Sequence, residues 1–217
     1  MTQVKLLFDE WKIQRPDYIN FCEDGILVQS KWKNSNPKIL FLLKETYSHF
    51  IDISGPMGPY GTSKTFWRKM KIWTYIITEL MNNREPIFEK IYEIKELPND
   101  SIAYVNIKKN AEKTENNGEA NSDYSDILSY AKKDKDFLKR QIDLINPDII
   151  LCCATIDFAK ELYPDLSSIS NKLFQADRKL IISYSHPSNR NSYTQEFADL
   201  TTILKGCKIK GIIPEVV

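Results

Sequence analysis

Three residues whose side chains suit acid–base chemistry or hydrogen-bonded recognition lie where apolar segments of the sequence end. They are Glu45, Asn106 and His186. A carboxylate can act as a base or stabilise a cation, an amide can hydrogen-bond the edge of a planar ligand, and an imidazole can donate to a developing anion. Each has an ordinary explanation as well, since a Glu after a strand is usually solvated and a single His is more often structural. Their shared position at segment ends makes them candidates for one site.

The elements that must position these side chains follow from the apolar pattern. Continuous apolar, β-rich runs predict strands covered on both faces, at residues 38–44, 101–107, 148–153 and 178–184. Helical spacing predicts helices over residues 63–82, 125–146, 155–163 and 192–205. The alternation predicts a three-layer α/β/α sandwich around a central four-stranded parallel sheet. Ligands bind beyond the carboxyl ends of parallel strands, so this fold would bring Glu45, Asn106 and His186 to one edge.

Chain length and polarity predict the domain organisation. We expect a single domain over residues 1–217, because domains commonly run to ~100–200 residues. Residues 1–35 look like an N-terminal helical extension that packs on the sheet. The polar residues 110–124 predict a flexible surface loop.

The composition is that of an ordinary globular protein, with 42% hydrophobic and 27% charged residues. The 30 basic and 29 acidic residues give a net charge of +1, which excludes a globally basic protein such as a histone. No C-x-x-C pair occurs among the four Cys, and the two His are far apart, so we expect neither a metal nor a cofactor. No apolar stretch follows Met1, so we expect no signal peptide or membrane span, and a cytoplasmic protein that does not bind membranes. We also expect a monomer.

A basic segment over residues 64–71 carries four cations and no acid. Together with Lys108, Lys109 and Arg190 it could form a local phosphate-binding face. The alternative is the solvated side of an amphipathic helix, the usual meaning of such a run.

Four motifs follow the predicted strands in a recognisable order. LKETYS (residues 43–48) follows the first strand, and YVNIKK carries an Asn at the end of the second. INPDIILCCAT contains the third strand, and His186-Pro187-Ser188 follows the fourth. In these motifs, over roughly residues 37–204, the sequence resembles the uracil-DNA glycosylase superfamily. That family has Gly-Gln-Asp-Pro-Tyr-His at the first motif and His-Pro-Ser at the last.

The departures from the family pattern lie mainly in the first motif. Leu43 stands in place of its Gly, Thr46 in place of its Pro, and Glu45 is one methylene longer than the usual Asp. The iron–sulfur cysteines of the thermophilic branch are absent. The chain is therefore identified as a divergent member of that superfamily.

The resemblance implies roles for the residues at the strand ends. Glu45 and His186 would be catalytic, the carboxylate stabilising the sugar cation and positioning water, the imidazole stabilising the departing base. Asn106 would bind the pairing edge of the base, with its amide in either orientation. Tyr47 would lie against C5 of the base, and Phe66 or Trp67 would stack on it. An aromatic at helical spacing is, however, more often part of the core.

The resemblance also implies a DNA-binding surface. Its predicted members are Lys64, Arg68, Lys108, Ser188 and Arg190. Arg190 stands where the family has the wedge residue that fills the gap left by a flipped base. A plain surface arginine is an equally good interpretation of that position.

The function that these features imply is monofunctional DNA N-glycosylase activity. The enzyme would flip a uracil or a modified pyrimidine out of DNA and hydrolyse its N-glycosidic bond, leaving an abasic site. By analogy within the superfamily, the substrate could be hypermodified cytosine of phage DNA, which would make this an antiviral defence enzyme. The alternatives are a catalytically inactive DNA- or protein-binding module on the same fold and, less favoured, a nucleotide or small-molecule hydrolase.

Overall fold

The computed structural model describes residues 2–47, 64–93, 101–112 and 123–208 of the chain. The strands are β1 (Ile39–Tyr47), β2 (Ile102–Glu112), β3 (Ile149–Cys153), β4 (Ser167–Ser168), β5 (Leu173–Ala176) and β6 (Lys179–Tyr184). The helices are α1 (Gln3–Gln14), α2 (Gln29–Lys33), α3 (Lys64–Met81), α4 (Tyr124–Lys133), α5 (Lys135–Ile145), α6 (Ile156–Leu162) and α7 (Tyr193–Lys208), with a short 3₁₀ helix at Phe88–Tyr92. None of the helices in these ranges is long and apolar enough to cross a membrane.

The six strands form one mixed sheet in the order β2-β1-β3-β6-β5-β4. Strands β2, β1, β3 and β6 pair in parallel, and β5 and β4 add antiparallel to the β6 edge. The predicted α/β class is therefore confirmed, whereas the predicted four-stranded parallel sheet is wrong because two antiparallel strands were missed. These strands are only two and four residues long, too short to form an apolar run.

The turn of the hairpin between β5 and β6 has a sequence that does not predict a hairpin. Its two turn residues, Asp177 and Arg178, have φ angles of 49° and 61°. Two positive φ angles in a two-residue loop are typical of the turn that matches the twist of a hairpin, where Asn-Gly or Asp-Gly is the usual sequence. Arginine at the second position gives no such signal.

Helices cover both faces of the sheet, as the sandwich prediction requires. One apolar cluster joins α1, α4, α5 and α6 to one face, where Trp11 stacks on Phe137 with ring centroids 4.9 Å apart. The other cluster joins α3 and α7 to the opposite face. Every residue of the central β3 is buried, and the thiols of Cys152 and Cys153 are free. Burial raises the pKa of the Cys152 thiol to about 12, so it is not a reactive nucleophile.

The N-terminal segment is less helical than predicted. Between α1 and α2 the chain runs antiparallel along β2, with bridges from Phe21 to Asn110 and from Ile26 to Ala103. The strand β2 continues to Glu112, so residues 110–112 of the predicted loop belong to the sheet. Residues 113–122 of that loop lie outside the described residues.

Two helix boundaries also differ from the predictions. The predicted helix 125–146 is broken into α4 and α5 at Asp134, a fully buried residue. Its carboxylate accepts hydrogen bonds from Arg15 Nε at 2.8 Å and from the Tyr18 hydroxyl at 2.6 Å. At the carboxyl end of the chain, α7 continues through Gly206 to Lys208 instead of ending there.

We predict that Asp134→Ala lowers the free energy of unfolding by about 3–5 kcal/mol, because it leaves the partly buried Arg15 guanidinium without its partner. Asp136→Ala is the matched control, since Asp136 is exposed in the first turn of α5 and should contribute less than about 1 kcal/mol. Urea unfolding followed by circular dichroism measures both changes. Equal losses in the two variants would show that the buried pair does not hold the α4–α5 break in place.

Candidate functional site

Glu45 and Asn106 lie on neighbouring strands, Glu45 near the carboxyl end of β1 and Asn106 within β2. The predicted strand end at Asn106 is wrong, because β2 continues to Glu112. Glu45 on β1 is in register with Lys108 on β2, and Leu43 is in register with Asn106. His186 follows β6, which is separated from β1 by β3 alone. The strand order places the three residues on β1, on β2 and after β6, with β3 between β1 and β6.

Glu45 is held in an ion pair that the sequence did not reveal. Its Oε2 lies 3.5 Å from Nζ of Lys108, and both side chains are only 4% exposed. Lys108 also lies 2.6 Å from Oδ2 of Asp126 at the start of α4, and its ammonium sits 5.1 Å from the centre of the Tyr130 ring. A buried ammonium between two carboxylates does not fit the phosphate contact predicted for Lys108.

Asn106 is also buried, at 2% exposure, and it contacts an acid that sequence reasoning missed. Asp24 Oδ2 accepts from the backbone N–H of Asn106 at 2.7 Å and from its Nδ2 at 3.0 Å. The other oxygen of Asp24 accepts from the buried Lys109 ammonium and from Gln141 Nε2 at 2.9 Å. No pattern in the sequence marks Asp24, because its partners lie 82 to 117 residues away.

His186 is set up as a neutral hydrogen-bond donor. Its pKa is lowered to about 4, first by burial and second by the positive charge of Lys44. Its Nδ1 accepts from the backbone N–H of Ser188 at 3.2 Å. In a neutral imidazole with Nδ1 as acceptor the proton is on Nε2, so Nε2–H is the available donor.

A buried ion pair anchors the loop that carries His186. Lys69 on α3 donates to the backbone oxygen of Asn189 at 2.8 Å and to its side-chain oxygen, and its Nζ lies 3.5 Å from Oε1 of Glu196 on α7. Trp73 Nε1 donates to the other oxygen of Glu196 at 3.1 Å. Lys69 and Glu196 are fully buried. In the sequence Lys69 was indistinguishable from its basic neighbours, which is why this role was missed.

The predicted aromatic residues lie beside His186. The Phe66 ring is 5.9 Å from the imidazole, and Trp67 packs edge-on against Phe66 with centroids 5.6 Å apart. Trp67 in turn packs against Tyr104 of β2. Of the two stacking candidates, Phe66 is therefore the one next to the histidine. The side chain of Tyr47, like that of Lys64, lies outside the described residues.

The remaining predicted DNA-binding residues lie at the surface. Arg68, Ser188 and Arg190 are exposed. The Arg68 guanidinium lies 5.6 Å from the centre of the Tyr193 ring, three residues after Arg190. The basic segment 64–71 is thus divided, since Arg68 is at the surface whereas Lys69 is buried in the loop anchor.

Comparison with protein-family models finds no match for this chain, and comparison with curated proteins finds none either. Within residues 2–47, 64–93, 101–112 and 123–208, no group of three His, Cys, Asp or Glu side chains could hold a metal ion. The candidate site is therefore defined by Glu45, Asn106 and His186 and by the groups that hold them.

We predict that Lys44→Met raises the pKa of His186 from about 4 towards its ordinary value of 6.5, because it removes the nearby positive charge. Lys132→Met, an exposed position on α4, is the control and should leave it unchanged. Nuclear magnetic resonance titration of the imidazole nitrogens measures the shift, and His49→Gln assigns the resonances of the two histidines.

The wild-type pKa of His186 also predicts a pH dependence of stability. The unfolded chain binds a proton at His186 below about pH 6.5 and the folded chain only near pH 4, so stability falls as the pH falls through that window. His186→Gln should flatten this part of the urea-unfolding profile. A wild-type imidazole that titrates near pH 6.5 would contradict both expectations.

Proposed function

We propose that this protein is a DNA N-glycosylase that acts on a flipped-out uracil or modified pyrimidine and leaves an abasic site. The observation that carries the proposal is the combination of a carboxylate and an amide on the adjacent strands β1 and β2 with a neutral histidine that follows β6 of the same sheet. The resemblance of the motifs around these residues supports the same conclusion. No metal or redox cofactor is needed for this chemistry.

Each of the three groups matches one demand of glycosidic hydrolysis. As the bond between C1′ and the base nitrogen breaks, positive charge develops on the sugar and negative charge on the base. Glu45 stabilises the cation and positions the water whose oxygen bonds to C1′, and the carboxylate takes up the proton that this water releases. His186 Nε2–H donates to the base oxygen, where the negative charge collects. Asn106 binds the pairing edge of the base.

Lys108 supplies the positive charge that lies beside the Glu45 carboxylate. A carboxylate that is 4% exposed is costly unless an opposite charge lies beside it, and the ammonium at 3.5 Å supplies that charge. In the proposed enzyme the ion pair holds the Glu45 carboxylate in place before DNA binds. Positive charge for the phosphate backbone comes instead from Arg68 and Arg190 at the surface.

A non-catalytic binding module remains the second candidate, and one observation favours it. One oxygen of Glu45 is already engaged by Lys108, which itself is held by Asp126 at 2.6 Å. If this cluster only stabilises the sheet edge, the fold would bind DNA or protein without cleaving a bond. Excision of hypermodified cytosine from phage DNA is a narrower form of the leading proposal, and the choice of substrate bases tests it.

We predict that the protein releases a base from at least one oligonucleotide containing uracil, mismatched thymine, or 5-methyl-, 5-hydroxymethyl- or glucosylated cytosine. Alkali then cuts the labelled strand at the abasic site. Glu45→Gln and His186→Gln should each slow release by ~100-fold or more, as expected for loss of an acid–base group or an oxyanion donor. Glu89→Gln, an exposed acid on the 3₁₀ helix, is the matched control and should not change the rate.

The outcomes separate the candidate functions. No cleavage for any base, together with DNA binding that Glu45→Gln leaves unchanged, would favour the binding module. Hydrolysis of free nucleosides at the same rate as DNA would favour a small-molecule hydrolase. Cleavage that survives both the Glu45 and the His186 substitutions would rule out the mechanism given above.

A further inference from the structure

The carboxylate of Asp24 is the centre of a buried hydrogen-bond network on the outer edge of β2. It accepts from the backbone and side-chain nitrogens of Asn106, from Lys109 Nζ and from Gln141 Nε2. Asp24 is 5% exposed, and Lys109 and Gln141 are fully buried. Four nitrogen donors and the Cys22 thiol on one carboxylate define its position closely, so it acts as a fixed group rather than a mobile surface acid.

This network determines which way the Asn106 amide faces. An ionised carboxylate accepts hydrogen bonds and cannot donate, so the amide atom 3.0 Å from Asp24 Oδ2 must be the nitrogen. Turning the amide over would place its oxygen against a carboxylate oxygen and lose the hydrogen bond. The orientation that the sequence left open is therefore set by a neighbouring residue, and the amide oxygen is the atom that Asp24 leaves available.

Asp24 is itself held in place by the chain around it. It lies in the segment that runs along β2, where Cys22 N–H donates to the Lys109 carbonyl at 2.8 Å and Tyr104 N–H donates to the Gly25 carbonyl at 3.0 Å. Between these backbone bonds the Asp24 carboxylate takes the place of a ladder partner for Asn106 N–H. The Lys109 ammonium also lies 5.7 Å from the centre of the Trp11 ring. The amide of Asn106 is thus tied to the packing of α1.

A fixed amide has a chemical consequence for base recognition. Along positions 4 and 3 of the ring, uracil presents an acceptor and then a donor, whereas cytosine presents a donor and then an acceptor. An amide that can turn over reads both patterns, but an amide held in one orientation matches one of them and leaves unpaired polar groups against the other.

We propose that Asp24 is a specificity-determining positioning residue, which locks the Asn106 amide so that the site accepts only one of these two base patterns. This inference rests on the proposed function, in which Asn106 binds the base. Asp24 does not touch the base and acts only through Asn106. The residues of the lock are Asp24, which contacts the amide, and Lys109, which neutralises its charge.

The test replaces the lock with a neutral network that tolerates both orientations. In the double variant Asp24→Asn/Lys109→Met the amide at position 24 can donate or accept, and no buried charge is left without a partner. Gln141→Met is the matched control, because it removes a hydrogen bond to Asp24 without removing the contact between Asp24 and Asn106. Thermal denaturation first establishes that all three proteins are folded.

The readout is the ratio of activity or binding for uracil against cytosine-type bases, because a merely structural defect would lower both values together. Base release from matched oligonucleotides gives one ratio, and calorimetric binding of free uracil and free cytosine gives the other. We expect both ratios to move closer to one by about 10-fold or more in the double variant, and to stay near the wild-type values in Gln141→Met.

The failures of the inference and of the proposed function give different results. If the wild type releases or binds one class of base and the double variant keeps the same ratio, the lock is wrong and the glycosylase stands. If the wild type releases no base but still binds the two free bases unequally, the glycosylase fails and the ratio of binding continues to test the lock. A wild type that releases no base and binds neither free base overturns both.

Discussion

The interior of this protein depends on charges that are buried in pairs. A charge removed from water is tolerated only when an opposite charge and further hydrogen bonds lie beside it, and removing one partner costs far more than the pair contributes. The pairs Asp24–Lys109, Lys69–Glu196 and Glu45–Lys108 all meet this condition at 5% exposure or less. The first two join residues 85 and 127 positions apart in the chain, so they also connect distant segments of the fold.

The same pairs explain how a parallel sheet can present polar groups in defined orientations. One pair holds the segment beside β2 against Asn106, and a second holds the loop after β6 against α3 and α7. The third holds Glu45 between two strands and the start of α4. Each candidate residue is therefore positioned by a charged neighbour that belongs to a different element. The contacts that stabilise the fold also position the candidate residues, so variants that separate the two effects must replace a pair with a neutral equivalent.

What could be predicted from the sequence was whatever leaves a local pattern. The four long strands were found because strands buried on both faces read as continuous apolar runs, and the strand-end residues followed from that placement. The β4–β5 hairpin strands were missed because they are too short for a pattern, and the break at Asp134 because apolar spacing continues across it. Asp24 and Lys69 could not be found at all, since their roles depend on partners that only the folded chain brings near.

The segment that carries Asp24 also changes what the sheet can do at its outer edge. An uncovered edge strand offers a row of free N–H and C=O groups to which another chain can add, which is a common start of aggregation. Here the chain covers β2, an eleven-residue strand, with its own residues around Phe21 and Ile26. The opposite edge is β4, only two residues long. Among the described residues the sheet therefore has no long edge open to intermolecular pairing. The segment that fixes the Asn106 amide also covers an edge where aggregation could begin.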